Sequence, residues 1–447
     1  MCQPLPQLAA KCVEIITTED RSMIPSLTLL PVTFEDGGTT RSLKKVKVTP
    51  MLKWFMLTVY ITLCCYVMWS FCRWTKKIYL PKRRAFNIIV CGLILIFASS
   101  IFLGKFLPEN DYQLLILRFS NYWIGFLIYL IFFIFTADLF LLFLKLASRH
   151  LKSSKHLLSS VFLRTILGFL VILLSISFTV YGCFHAKMLT TAHYKATIQK
   201  SAGNLTDLRM ILLGDFHLGY SVGCSQIEDM VAAINSENAD IIVIAGDIFD
   251  NNFDALDNPE RLEMLLSQIN STYGTYAVFG NHDVTETLIA GFPISSKNAP
   301  RDPRMYEFLE KSNISVLEDE TAIIDNSFYL TGRLDEKRTG NGTKKRASLD
   351  ELTKNLDPSM PLFVISHEPD HLSDYNAHGV DIVLSGHTHA GQFFPLTIVQ
   401  PFVWENYWGM KMIDSMYSFV TSGIGVYGPD IRVGTNSEVM VIDVHFE

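Results

Sequence analysis

The chain has 447 residues, 49% of them hydrophobic, with a mean hydropathy of +0.25 and a formal net charge of −6. The charge is divided: residues 1–185 hold 20 Lys and Arg against 8 Asp and Glu, whereas the remainder holds 18 against 36. A basic half suits anionic lipid headgroups, and an acidic half argues against a nucleic-acid backbone as the main partner.

Residues 1–50 read as a flexible polar tail, with a basic cluster at Lys44, Lys45 and Lys47 and no early apolar core of the signal-peptide type. Residues 51–185 read as a four-helix transmembrane module. Its apolar stretches run from about Trp54 to Cys72, Phe86 to Gly104, Tyr122 to Leu144 and Thr165 to Phe184. Each is near the ~20 residues that span a bilayer as a helix. Asp138 falls inside the third, where a charge is costly and faces a partner or water; an interhelical hydrogen bond or an interfacial position is the simplest account. Most of the cysteines lie in or before these stretches and read as packing residues or acylation candidates.

The loop from Arg73 to Arg84 and the loop from Lys145 to Arg164 are basic, and the loop between them carries only Lys105 and Arg118. Placing the two basic loops in the cytoplasm obeys the positive-inside tendency and leaves both termini on the other side. The cluster before the first span opposes this. Four Asn-x-Ser/Thr triplets, at Asn204, Asn270, Asn313 and Asn341, all lie in the C-terminal half. They favour a lumenal or extracellular catalytic domain.

Residues 186–207 read as a polar linker. From 208 to 447, short Val- and Ile-rich runs bounded by Gly read as buried strands. Five of them stop at metal-binding side chains. Met210–Gly214 leads to Asp215 and His217, Ile241–Gly246 to Asp247, and Tyr276–Gly280 to Asn281, His282 and Asp283. Leu362–Ser366 leads to His367, and Ile382–Gly386 to His387 and His389. Ser225–Glu237 and Pro259–Ile269 have helical apolar spacing, and Tyr417–Thr421 and Val439–Val444 read as further strands. The alternation predicts an α/β sandwich. Residues 335–346 read as a basic, solvated surface loop. His371 and His378 fall away from strand ends and read as structural or surface residues.

Asp215, His217, Asp247, Asn281, His367, His387 and His389 are too many ligands for one tetrahedral site. They suit two divalent cations such as Mn, Zn or Fe if one carboxylate is shared. Two cations side by side acidify a bridging water and bind the oxygens of a phosphorus centre, which predicts hydrolysis of a phosphate ester. His282, with the Asp283 carboxylate beside it in sequence, is surplus to ligation and suits proton transfer to the leaving oxygen.

The ordered set Asp-x-His, Gly-Asp, Gly-Asn-His-Asp, His, Gly-His-Thr-His resembles the calcineurin-like metallophosphoesterase superfamily over roughly residues 208–447. Ser366–Asp370, Gly386–Gln392 and the late Gly423-Ile424-Gly425 to Arg432 resemble its bacterial membrane-associated branch. The resemblance implies an αββα sandwich. It assigns Asp215, His217 and His389 to one metal and Asn281, His367 and His387 to the other, with Asp247 bridging. It gives His282 the leaving-group role and Asp283 the task of orienting it. The expected activity is hydrolysis of a phosphodiester. A monoesterase or pyrophosphatase acting on a lipid-linked or soluble metabolite is the alternative, and a catalytically silent membrane scaffold a third reading.

Overall fold

The computed structural model describes residues 48–447 except 79, 81, 108–110, 150–159, 286–287, 290–291, 294–298 and 341–344. The expected tail, Lys152 and Lys155 of the second basic loop, and Asn341 lie outside the described residues. Residues Thr49–Glu447 form one compact unit.

Four helices open it: α1 (Val48–Thr75), α2 (Arg83–Phe106), α3 (Asp111–Ala147) and α4 (Val161–His185). All are long and apolar enough to cross a membrane. Continuous hydrocarbon surface with no inward stripe is what lipid solvation allows and water does not. The third helix is longer than its apolar core, because Asp111 to Asn121 continue the helical turn with polar residues among the apolar ones. Asp138 of α3 accepts a hydrogen bond from the Tyr66 hydroxyl at 3.1 Å and pairs with the Arg73 guanidinium. The Trp74 indole donates to the Arg164 carbonyl. These contacts gather Arg73, Asp138 and Arg164 at one end of the bundle.

The expected linker is not one. Within 186–207 lies β1 (Leu189–Ile198), which pairs in parallel along its whole length with the last strand of the chain. Its alternating, half-exposed pattern Leu-Thr-Thr-Ala-His-Tyr-Lys-Ala-Thr-Ile is that of an edge strand, which in sequence is hard to tell from a polar link.

The chain continues with β2 (Asp207–Leu213), α5 (Cys224–Ser236), β3 (Ile241–Ala245), α6 (Pro259–Leu266) and β4 (Thr275–Val278). Next come the short pair β5 (Leu288–Ile289) and β6 (Phe292–Pro293), α7 (Pro303–Lys311), β7 (Ile314–Val316), β8 (Glu320–Ile324) and β9 (Phe328–Gly332). The last part holds α8 (Leu349–Thr353), β10 (Leu362–Ile365), α9 (Leu372–Ala377), β11 (Ile382–Ser385), α10 (Leu396–Val403), β12 (Gly409–Ile413), β13 (Met416–Val420) and β14 (Ser437–Phe446).

Two six-stranded sheets result, in the orders β1-β14-β2-β3-β4-β7 and β12-β13-β11-β10-β9-β8. One apolar core joins α5, α6 and α7 to the first sheet, a second fills the space between the sheets, and a third lies under α8 and α9. The domain is therefore an αββα sandwich. Every residue of β3, β10 and β11 is buried. At about 1.5–3 kcal/mol for each large aliphatic side chain buried, these short strands are held by packing on both faces. Strands β2, β3, β4 and β7 run parallel, as do β9, β10, β11 and β13. The ends of β2, β3, β4, β10 and β11 thus meet at one edge of the sandwich, where ligands bind in open α/β sheets.

Candidate metal centre

At that edge the backbone turns sharply. Asp215, His217, Asp247, His387 and His389 all have φ between 48° and 71°, a left-handed conformation that non-glycine residues rarely adopt. Such strain persists where surrounding structure over-determines it, and it clusters at functional sites. Here the strand ends and their hydrogen bonds impose it. Asp215 N–H donates to the Gly246 carbonyl, His217 N–H to the Asp247 carbonyl, and His387 N–H to both carboxylate oxygens of Asp215 at 2.9 Å. Gly246 has φ 87°, and a Cβ there would lie 2.7 Å from His367 Nδ1.

The seven expected ligands come together. Asp215, His217 and His389 form one buried group, and Asp247, His367 and His387 another. Asp247 Oδ2 lies between the two, 3.8 Å from His217 Nε2 and 3.1 Å from His367 Nε2. Asn281 joins the second group, its Oδ1 3.1 Å from His367 Nε2.

The donor chemistry fits cations. His367 Nδ1 donates to the Ala245 carbonyl at 2.7 Å, which leaves Nε2 as a lone pair. That lone pair faces a carboxylate oxygen, an amide oxygen and, at 3.2 Å, His387 Nδ1. His217 Nε2 and His389 Nε2 face each other, and the other nitrogen of each ring is buried without a partner. A positive charge, a proton or a cation, must stand among these groups: burial opposes a proton on His367 and on His217, but the neighbouring carboxylates prevail and raise both pKa values above the usual imidazole range. Burial, then the neighbouring His367, holds His387 well below the usual imidazole range. Burial, then His217, does the same for His389. Both are neutral lone-pair donors at pH 7.

His282 sits beside the cluster, its ring 5.2 Å from that of His217 and 4.5 Å from that of Tyr427. Burial pushes its pKa down to about 4. Its backbone N–H donates to Asp247 Oδ1, and its ring Nδ1 lies 2.5 Å from Asn251 Oδ1. An amide oxygen accepts, so Nδ1 carries the proton and Nε2 is left bare.

The orienting partner is therefore Asn251 and not Asp283. The Asp283 carboxylate accepts from Phe249 N–H and Gly280 N–H, both at 2.7 Å, and ties the loop after β3 to the loop after β4. Burial, then repulsion from Asp247, pushes its pKa up to about 7. Side chains of adjacent residues diverge, so sequence adjacency to His282 misleads.

Sequence reading also passed over Asp250, whose Oδ1 lies 3.7 Å from His217 Nδ1, and Glu368, whose Oε1 lies 3.8 Å from His387 Nε2. Their signal is polar residues at short spacing behind a ligand: Asp250 and Asn251 after Asp247, and Glu368 after His367. Ligand imidazoles commonly need such partners to fix their orientation.

Of the loop 335–346, the described residues 335–340 are less solvated than their composition predicts. Asp335 is buried and accepts from the N–H groups of Lys337 and Arg338, and Lys337 Nζ pairs with Glu368 at 2.5 Å. His378 is held by Asp374 and Asp350, and His371 lies 3.9 Å from Glu336; neither reaches the seven ligands.

Residues 208–391 match the family model described as calcineurin-like phosphoesterase. A protein of Danio rerio named "transmembrane protein with metallophosphoesterase domain" is 27% identical over 94% of this chain and 93% of its own length. An uncharacterized metallophosphoesterase of Campylobacter jejuni is 26% identical over 83% of this chain and 93% of its own. The UDP-2,3-diacylglucosamine pyrophosphatase of Chlamydia trachomatis is 24% identical over 46% of this chain and 70% of its own.

Proposed function

We propose, for a membrane protein that carries a metal-dependent calcineurin-like phosphoesterase domain, that the reaction is hydrolysis of a phosphodiester at the membrane surface. The observation that carries this is Asp247, its Oδ2 set between the two groups of ligands, with the His282 ring beside them, 5.2 Å from that of His217. Two divalent cations, Mn, Zn or Fe, would be held by Asp215, His217 and His389 on one side and Asn281, His367 and His387 on the other, with Asp247 shared. When bound, they supply Lewis-acid charge and acidify a water.

The chain's own residues do the rest. Asp215 anchors the His387 backbone, so the two ligand groups keep their spacing. Asn251 holds the His282 tautomer with the proton on Nδ1, so that Nε2 can take the proton released by the attacking water and pass it to the departing alkoxide. Two cationic side chains near the ligands, Lys337 and Arg432, are engaged by Glu368 and by backbone carbonyls. A singly charged diester, which asks for less fixed positive charge than a monoester dianion, suits such a site. The Chlamydia relative, a pyrophosphatase by name, favours a second reading, pyrophosphate cleavage in a lipid-linked metabolite.

The catalytic domain is assigned to the lumenal or extracellular side. The basic end of the bundle carries Arg73 and Arg164, whereas the sandwich packs at the other end, where Arg118 donates to the Tyr220 carbonyl and Asn121 to Ser221. Basic loops in the cytoplasm put the sandwich outside it.

The test is hydrolysis by the full chain in lipid nanodiscs loaded with Mn or Zn, offered a chromogenic diester and its monoester, with Asp247→Asn and His282→Ala alongside. Diester turnover lost in both variants supports the reading. Turnover of the monoester alone transfers it to a phosphatase. Inertness toward both and toward phospholipid diesters and lipid-linked pyrophosphates favours a silent scaffold.

A further inference from the structure

Helix α10 is built inside out. None of its eight residues, Leu-Thr-Ile-Val-Gln-Pro-Phe-Val, is buried. Leu396, Ile398, Val399, Phe402 and Val403 are exposed, Phe402 to 86%. The half-buried pair is polar: Thr397 and Gln400, three residues apart and so on one face, pack over Gly391. Helix α5 of the same domain does the reverse and buries Ile227, Met230, Val231 and Ile234. A soluble domain that left five large apolar side chains in water would forgo the stabilisation that their burial supplies. From Ile382 to Trp404 the sequence contains no Asp, Glu, Lys or Arg.

The position of the helix supplies the reason. The residues that lead into it are fastened to the membrane helices. Phe393 is buried with Tyr129 of α3, and the Phe394 ring meets Phe132 edge-on at 5.3 Å. The next residue, Phe133, packs on Phe178 of α4. Phe178 lies seven residues before His185, where α4 ends, so at 1.5 Å per residue the entry to α10 sits about 10 Å below that end. An in-plane amphipathic helix buries its apolar face roughly 5–10 Å into a leaflet.

We propose that α10 lies in the plane of the leaflet on the catalytic side, its apolar face among acyl chains, and seats the metal centre at headgroup level. The link to that centre is short. Gly391, against which α10 packs, closes the turn begun by His387 and His389, and the Trp404 ring that ends the helix meets the His387 ring at 5.2 Å. Lys337 Nζ lies 5.9 Å from the centre of the same Trp404 ring. A tryptophan at the helix end with a lysine beside it is a pairing suited to a membrane interface. Phosphate esters anchored in that leaflet are then the substrates nearest to hand. This last consequence rests on the phosphoesterase reading, whereas the seating of α10 does not.

Photocrosslinking separates the two. The full chain, carrying p-benzoylphenylalanine in place of Phe402, is put in phosphatidylcholine vesicles, irradiated and analysed by mass spectrometry. The same substitution at Phe169, on the lipid side of α4, and at Asn270, on the domain surface, brackets the result. The expected outcome is a phosphatidylcholine adduct at 402 within about twofold of that at 169 and about tenfold above that at 270, as burial among acyl chains requires. A cross-linked dimer, an adduct to residues 1–47 or a lipid yield equal to that at Asn270 would each overturn the proposal. Because the readout is a mass and not a rate, an inactive enzyme leaves the result intact.

Discussion

His217 Nε2 lies 3.0 Å from His389 Nε2, and the second nitrogen of each ring is buried without a partner. At that separation the two nitrogens share either a proton or a cation. The full chain is expected to bind two equivalents of divalent metal, read by elemental analysis, and His389→Ala about one. Chelation should lower the midpoint of thermal unfolding of the domain. At free metal 100 times the dissociation constant, each site contributes about 2.7 kcal/mol. Acid should release the metal as well, because imidazole ligands bind only when deprotonated.

Asn251 and Asp283 both lie next to His282 and should fail differently. Asn251→Ala removes the acceptor for Nδ1–H and is expected to lower kcat about 10- to 100-fold, with metal content and KM little changed. Asn251→Asp keeps an acceptor and should recover most of the rate. Asp283→Asn leaves one of two buried backbone N–H groups without an acceptor, at a cost of about 1–3 kcal/mol. It should show first in thermal unfolding.

Gly246→Ala tests whether the strained edge shapes the site. The new Cβ would stand 2.7 Å from His367 Nδ1 and at a φ that alanine tolerates poorly. The expected outcome is loss of the second metal equivalent while the chain still folds, with a penalty of about 1–3 kcal/mol at the strained position.

In the bundle, Arg73→Ala should destabilise more than Asp138→Asn. Removing the arginine leaves a carboxylate in an apolar span, whereas removing the charge from Asp138 leaves an arginine at a helix end, able to extend toward water. The two unfolding midpoints in nanodiscs, with the double variant completing the cycle, measure the difference. Equal losses would show that the pair has no net electrostatic role.

Asn204, Asn270 and Asn313 are exposed. A lumenal or extracellular domain should therefore carry glycans in animal cells, and glycosidase treatment should increase its gel mobility. An unchanged mobility, together with labelling of the domain by a cytoplasmic biotin ligase, would place it on the other side.

The sequence by itself determined what local pattern controls. Apolar runs of bilayer length defined the four spans, because no soluble helix is apolar all round. The ends of five buried strands marked the candidate ligands, because a polar side chain that follows an apolar run has only the sheet edge to occupy. Tertiary structure decided whatever depends on partners distant along the chain. Leu189–Ile198 is a strand only because Ser437–Phe446 offers it an edge, and nothing local distinguishes it from a linker. Asn251 was hidden behind Asp283 because His282 reaches across to the loop after β3. Nothing local in the sequence from Leu396 to Val403 distinguishes it from an ordinary apolar stretch. Only its packing showed that Thr397 and Gln400 face the protein and Phe402 faces away, an inversion that is stable where the solvent is hydrocarbon.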